Sequence, residues 1–283
     1  MGSEMCIRDR PLPTDFASTS LTAFEALAYA ETDHPIPGEV ICTVDELAAL
    51  LYYSGGVTKV GTVPGGGKMY FRAAACTGAL YHIELYLVCG QMQDLAAGVY
   101  HFGAHDFSLR QLRAGDYRQV LVEASNGDTA MAQAPAILVC SSVFWRNSWK
   151  YQARAYRHCF WDSGTILANL LATGSARGLP LRLVSAFVDE PVNRLLGLDY
   201  NKEVALHLVG LGRDALNQIP APPAMNDVHL EVQPYSHNET TYPAIGEMHA
   251  ASSLVTPQDL ADIQISPGDL GRPGSVMHGP LSV

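Results

Sequence analysis

The stretch "WKYQARAYRHCFWDSGTILANLLA", residues 149–172, decides how this chain is read. Ile166, Leu167, Leu170 and Leu171 recur at helical spacing, and Gly164, Ala168, Ala172 and Ala176 fall four apart. The pattern predicts the longest helix of the chain, from Lys150 to about Arg177, stopped by Gly178 and Pro180. The small-residue stripe lets another backbone or a flat ligand approach closely. Beside it runs a polar stripe of Asp162, Thr165, Asn169 and Thr173. On a helix apolar on most faces such groups need partners, either in neighbouring strands or at an interface that carries a cofactor. Arg146, Lys150, Arg154 and Arg157 crowd the head of the helix, with Lys150, Arg154 and Arg157 on one face. Cations at a helix N-terminus cost about 0.3–1 kcal/mol each. Their density, with Tyr151 and Tyr156 among them, points to an anion or a chemical task.

Working outward, "TVDELAALLYYSGG" from Thr43 reads as a helix with Thr43 as N-cap, Glu46 closing a capping box, and Gly55-Gly56 ending it. Thr22 to Ala30 is helix-forming. "GTVPGGGKMYF" from Gly61 is a turn-rich crossing. "YHIELYLVC" is a strand, "AGVYHFGAHDFSLRQL" a hairpin around Gly103–Asp106, and "APAILVCSSVF" a buried strand. "LPLRLVSAFV" and "EVALHLVGLG" are further strands, separated by the short helix "EPVNRLLGL". No strict βαβ repeat appears, so the class is α+β. After Asn217 prolines and polar residues replace periodicity, which predicts a linker.

Composition bounds the rest. A chain of 283 residues with 48% apolar and 16% charged residues can build a real core. Its net charge of −10 leaves no basic surplus for nucleic acid, and no run of about 18 apolar residues suits a membrane. "MGSEMCIRDR" has no apolar signal region, and the six scattered cysteines read as reduced core thiols of a cytoplasmic protein. "GTVPGGGKM" is not a phosphate loop: five residues separate Gly61 and Gly67 where four are needed, and Met69 replaces the magnesium-binding hydroxyl. His101 and His105 sit at a hairpin tip, where their spacing does not make a metal pair, so no metal is expected.

In sequence order, "RAAACTGALYHIELYLV" (72–88), "WKYQARAYRHCFWDSGTILANLLA" and "VSAFVDEPVNRLLGLDYNKEVALHLVGLGR" (184–213) resemble the SagB-type, thiazole/oxazole-forming dehydrogenases of the nitroreductase superfamily. The resemblance implies a nitroreductase-like fold, a central mixed β-sheet flanked by helices, and FMN at the interface of a homodimer or of tandem domains. It implies that Thr77, Gly78 and Ala79 line the isoalloxazine, and that Asn169 of the Asn-Leu pair contacts the cofactor. Ser185 and Ala186 would offer backbone near its reactive nitrogen. Gly212 and Arg213 of the closing Gly-x-Gly-Arg would reach the phosphate, with Arg72 at the polar end. Lys150 and Tyr151 match the pair given the proton chemistry of azoline oxidation. The chain departs from the family pattern at Ala75-Cys76 (usually Pro-Ser) and at His82 (usually Pro), and it lacks the N-terminal basic phosphate motif.

The function so implied is FMN-dependent dehydrogenation of azoline rings in a modified peptide, with a cyclodehydratase as a further partner. Alternatives are a broad-range NAD(P)H-dependent nitroreductase or flavin reductase, and a flavin-free half that binds a partner or peptide. The expected organisation is an unstructured leader over 1–14, a nitroreductase-like domain over 15–216, and a linker with the beginning of a second domain over 217–283. That last part is expected to be poorly packed.

Overall fold

A computed structural model describes residues 9–30, 39–214, 218–228, 236 and 238–263 of the chain. Most of the expected leader and the tail past residue 263 lie outside the described residues. In chain order the elements are β1 (Asp9–Pro11), α1 (Ala23–Ala30), α2 (Val44–Gly55), β2 (Val57–Thr62), β3 (Lys68–Arg72) and β4 (Ile83–Cys89). There follow β5 (Gly98–Gly103), β6 (Ser108–Ala114), α3 (Arg118–Ala124), α4 (Thr129–Gln133) and β7 (Ala136–Val143). The second half holds α5 (Phe144–Tyr151), α6 (Ala155–Ala176), β8 (Leu181–Val184), α7 (Asp189–Leu196), β9 (Glu203–Leu211), α8 (Pro243–Ser252) and α9 (Pro257–Asp262).

One sheet organises the α+β fold, in the order β1-β6-β5-β4-β7-β9-β8. Every named pairing in it is antiparallel, so the sheet is not the mixed one expected. The meander β4–β5–β6 and the return of β8 through α7 to β9 each reverse the chain, which leaves no parallel neighbours. β4 and β7 are buried along their whole length because helices cover both faces. Leu85, Leu87, Leu138 and Cys140 face the core under α2 and α6, while Val88, Ile137 and Val139 face the one under α3 and α7. A bulge opposite Cys140/Ser141 switches the face parity of β9: Val204 and Leu206 share a core with Val209 and Leu211. The "GTVPGGGKMYF" crossing is a separate hairpin, β2–β3, whose tip holds Gly65 and Gly66 at φ +97° and +84°.

Three expectations need correction. Thr43 caps α2 by accepting from Glu46 N–H, but the Glu46 carboxylate turns to the Arg177 guanidinium, so the reciprocal half of the capping box is not made. Residues 9–12 are ordered: β1 is the edge strand, paired with β6, and Leu12 is buried. The long helix is broken. α5 ends at Tyr151, Gln152 adopts φ +53°, a short 3-10 turn spans Gln152–Arg154, and α6 restarts at Ala155. Lys150 therefore sits in the last turn of a helix, where the macrodipole favours a cation, and the shared face with Arg154 and Arg157 does not form.

The segment after residue 217 is not uniformly extended either. α8 packs at the head of α6, Ile245 is buried, and Leu254 bridges to Val188. No helix among the described residues is long and apolar enough to cross a membrane.

Candidate active site

Between β3 and β4 the chain makes a turn that L-residues resist. Gly78, Ala79 and Tyr81 lie at φ +67°, +54° and +47°. Only the glycine is free to do so, and each of the others costs about 1–2 kcal/mol. Asp162, on the buried side of α6, holds the turn in place. Its carboxylate accepts from Thr77 N–H (2.9 Å), Thr77 Oγ1–H (2.8 Å) and Cys76 Sγ–H (3.1 Å), and it pairs with His82 Nε2 at 2.8 Å. Burial alone would raise this carboxyl's pKa; the hydrogen bonds from His82, Cys76 and Thr77 outweigh it and hold the group at about 2. His82 is fully buried, and its Nδ1 lies 2.8 Å from Ser142 Oγ. Both departures from the family pattern, Cys76 and His82, thus converge on one carboxylate.

Those three side chains also bring ligand atoms within 4.8 Å of one another, close enough to hold a metal ion. Here both carboxylate oxygens are taken by donors, and burial together with the Asp162 bond pushes the Cys76 thiol up to about 12. The geometry is that of a hydrogen-bond network.

α5 closes over this turn. The Arg146 guanidinium pairs with Glu84 and donates to Tyr81 O at 2.9 Å. Asn147 Nδ2 donates to Thr77 O at 3.4 Å, and its Oδ1 lies 2.7 Å from His158 Nδ1. The Tyr151 ring stands edge-on to His158, centroids 4.7 Å apart, and Lys150 Nζ lies 5.3 Å from the Tyr151 centroid. A Cβ on Gly78 would lie 2.8 Å from Tyr151 Oη and 3.4 Å from Lys150 Nζ. Gly78 is there because the Lys-Tyr pair packs where a side chain would be. Glu84, despite a burial that would raise it, is held at about 2 by the His101 bond and the charges of Arg146 and Arg72.

α6 also reaches a second segment. Ser163 Oγ lies 3.0 Å from His207 Nε2, and His207 Nδ1 lies 2.9 Å from Ser185 Oγ. Burial lowers the His207 pKa to about 4, so the ring is neutral near pH 7. The β9 bulge turns His207 towards α6. Ser185 and Ala186 follow the end of β8 beside it.

The structure therefore brings Thr77, Gly78, Lys150 and Tyr151 together, with Ala79 in the same turn, and ties Ser185 to them through α6. Gly212 and Arg213 lie at the other end of β9. Arg213 is six positions beyond His207, about 20 Å of extended chain. Gly212, at φ +77°, allows a close approach to Val40, and Arg213 N–H donates to Val40 O at 2.8 Å. Arg72 flanks the turn: it donates to Ile83 O, lies 3.9 Å from Glu84, stacks over Tyr81 and lines a small hollow with Cys76 and Asp162. Asn169 is not at the turn but donates to Tyr53 O at 3.1 Å. Thr165 donates to Ala75 O and Thr173 to Asn169 O, so the polar stripe finds protein partners. Gly164 and Ala168 are exposed, and nothing lies within 4 Å of a Cβ on Gly164. Asp162 appeared in the sequence only as one polar residue of a buried helix; Ser163, His207, Asn147 and Glu84 carried no signal of a site.

A model of the nitroreductase family matches residues 33–213. The chain belongs to the nitroreductase family. It is a nitroreductase-family oxidoreductase, and members of this family typically bind FMN. A nitroreductase-like protein of Methanocaldococcus jannaschii is 25% identical over 171 residues, 60% of this chain and 81% of that one. The Escherichia coli microcin B17-processing protein McbC is 27% identical over 127 residues, 43% of this chain and 47% of McbC. The crystal structure of a nitroreductase-like protein from Anabaena variabilis superposes with a TM-score of 0.63 at 25% identity, covering 87% of this chain. The chain spans only 50% of that protein's length. The E. coli McbBCD microcin synthetase complex, with truncated pro-MccB17 bound, shares the fold at a TM-score of 0.53 and 19% identity, over 73% of this chain and 77% of that one.

Proposed function

We propose that this nitroreductase-family chain is an FMN-dependent dehydrogenase that oxidises azoline rings in a modified peptide. The observation that carries the reading is the packing of Lys150 and Tyr151 against Gly78, which puts a base and a hydroxyl at an exposed glycine turn. The exposed turn and the backbone at Ser185–Ala186 fit the flat ring of FMN, since both present mainly backbone and small side chains. The second wall of the site would come from another copy or a tandem domain against the open Gly164–Ala168 face. McbC supports the substrate class, since its complex was seen with a peptide precursor. A cyclodehydratase supplying azolines is the partner this reading implies.

When bound, FMN supplies the acceptor for the hydride that leaves the ring. The chain's own residues handle the rest. Lys150 Nζ takes the proton from the ring carbon beside the imine nitrogen, the more acidic position. Tyr151 Oη, fixed against His158, orients the ring and relays the proton. Asp162 holds the turn so that Gly78 stays clear of the ring's approach. Arg146 and Asn147 fix α5, and so both reacting groups, to that turn.

The M. jannaschii relative, matched over most of its length, keeps a simple nitroreductase as the second reading. Thiazoline-peptide oxidation by purified protein separates the two. Lys150→Ala and Tyr151→Phe should each lose about 10²–10⁴-fold in rate while keeping the yellow flavin bands. Lys150→Arg keeps the charge but cannot deprotonate near neutral pH. Full activity in Lys150→Arg would sink the proton-transfer role, and protein without flavin bands would sink the enzyme reading.

A further inference from the structure

Beside Ser185 and Ala186 lies a hollow of about 190 Å³, enclosed by the head of α6, the outer end of β8, and α8 with the residues that follow it. Tyr156, Phe160, Phe187, Leu206 and Leu254 line it. Its outer wall is tied down by polar contacts. Tyr156 Oη lies 2.8 Å from Ser252 Oγ, Leu254 N–H donates to Asp189 Oδ2 at 2.8 Å, and Asp189 N–H donates to Leu254 O at 3.1 Å. The His249 ring stands at an angle to both Phe144 and Tyr156.

We propose that this hollow is a subsite for one apolar side chain of the peptide substrate, next to the ring being oxidised. The identity of the occupant rests on the azoline-oxidation reading; the existence of an apolar subsite does not. Three observations converge on it. The polar groups of the wall already have protein partners: Tyr156 with Ser252, Asp189 with Leu254, and Ser185 with His207 behind the wall. Carbon is most of what the hollow offers; an anionic group would enter it against the Asp189 carboxylate, and a cationic one would compete with Leu254 N–H for that carboxylate, each at a desolvation cost. Burial also lowers the His249 pKa, which keeps cationic charge off that wall.

Size is the second point. Pockets that hold whole small molecules run from about 300 to 1,000 Å³, so this one suits a single side chain. Location is the third. Ser185 and Ala186 form its rim, and the outer wall, Tyr242–Leu254, lies beyond residue 213, where the family match ends. The family-matched part supplies the floor, and the segment that follows it supplies the roof.

The test has one arm that needs no turnover. Toluene, the neutral analogue of a Phe side chain, should bind the wild-type chain by calorimetry, and Leu254→Trp should weaken that binding at least tenfold by filling the hollow. Ile263→Trp narrows it from the exposed rim and should act in the same direction even if Leu254→Trp folds poorly. Lys150→Ala, which leaves the hollow intact, should bind the probe as wild type does. In the second arm, a thiazoline peptide with Phe beside the ring should show a KM at least tenfold below that of the Gly peptide. The two tryptophan variants should collapse that ratio. Unchanged probe binding in both tryptophan variants overturns the subsite, as does an active enzyme indifferent to Phe and Gly. If no peptide is oxidised at all, the function reading fails while the probe arm still decides the hollow.

Discussion

Asp162→Asn is the substitution whose outcome is best fixed by the geometry. The carboxylate takes four contacts: Thr77 N–H, Thr77 Oγ1–H, Cys76 Sγ–H and His82 Nε2. An amide has one acceptor oxygen, and its nitrogen presents donors to donors. Three of the four contacts go to Oδ2, so an amide oxygen kept there loses only the Thr77 Oγ1–H donor, and the variant should lose about 1–3 kcal/mol of stability. Linkage gives a similar figure. The folded pKa of about 2 lies below the ordinary 3.8, and at 1.36 kcal/mol per unit the difference is worth about 2 kcal/mol. Because the folded value is the lower one, this stability is present above the unfolded pKa of about 3.9 and is lost as pH falls through about 2. Urea denaturation of both proteins between pH 7 and pH 2 reads it directly. The gap should be widest near pH 7, shrink from about pH 4 and nearly close by about pH 2. A gap under about 0.5 kcal/mol at pH 7, or one that does not change on acidification, refutes the role given to Asp162.

Gly78→Ala should cost about 1–2 kcal/mol for the left-handed φ alone and displace Tyr151; thermal denaturation checks the first, and loss of azoline oxidation the second. Arg146→Ala removes a partner of the buried Glu84 and should cost about 3–5 kcal/mol in urea unfolding, with the Glu84 pKa rising from about 2. Ala168→Trp, on the open face of α6, should block both self-association and flavin retention; a variant that stays dimeric and yellow counts against an interface there. Asp189→Ala should speed amide exchange at Leu254 and release α8 to protease, whereas in the wild type the Tyr242–Leu254 peptide stays bound to the core.

The strands were legible because their patterns are local. β4 and β7 are short apolar runs, and the β5–β6 hairpin is punctuated by its turn residues. The break at Gln152 was not, since "WKYQARAY" holds neither Gly nor Pro to mark it. The break comes from tertiary ties, with Arg146 and Asn147 fixing α5 to the turn while α6 is fixed by its own core contacts. The lesson at Asp162 is similar. Period alone shows that a polar group on a buried helix wants partners, but Cys76, Thr77 and His82 are more than seventy-five residues away in sequence, as the 80-residue separation of His82 illustrates. Lys150, Tyr151 and Gly78 were found through family resemblance, and the contact between them could only be seen in three dimensions. Arg72 and Asn169 were placed by the same resemblance, and their polar groups here reach Ile83 and Tyr53.

Asp162 and Ser163 are neighbours in sequence, yet one holds the glycine turn and the other reaches Ser185 through His207. Two halves of the site are thus indexed to adjacent teeth of one gear, 100° and 1.5 Å apart on the helix. Substitutions elsewhere on α6 can be absorbed by repacking, but a single inserted or deleted residue between Ala155 and Asp162 would turn both teeth away together. Length variation among descendants of this chain should therefore gather in the 3-10 turn at Gln152–Arg154 or past Ala176, and leave the stretch leading to Asp162 constant in residue count.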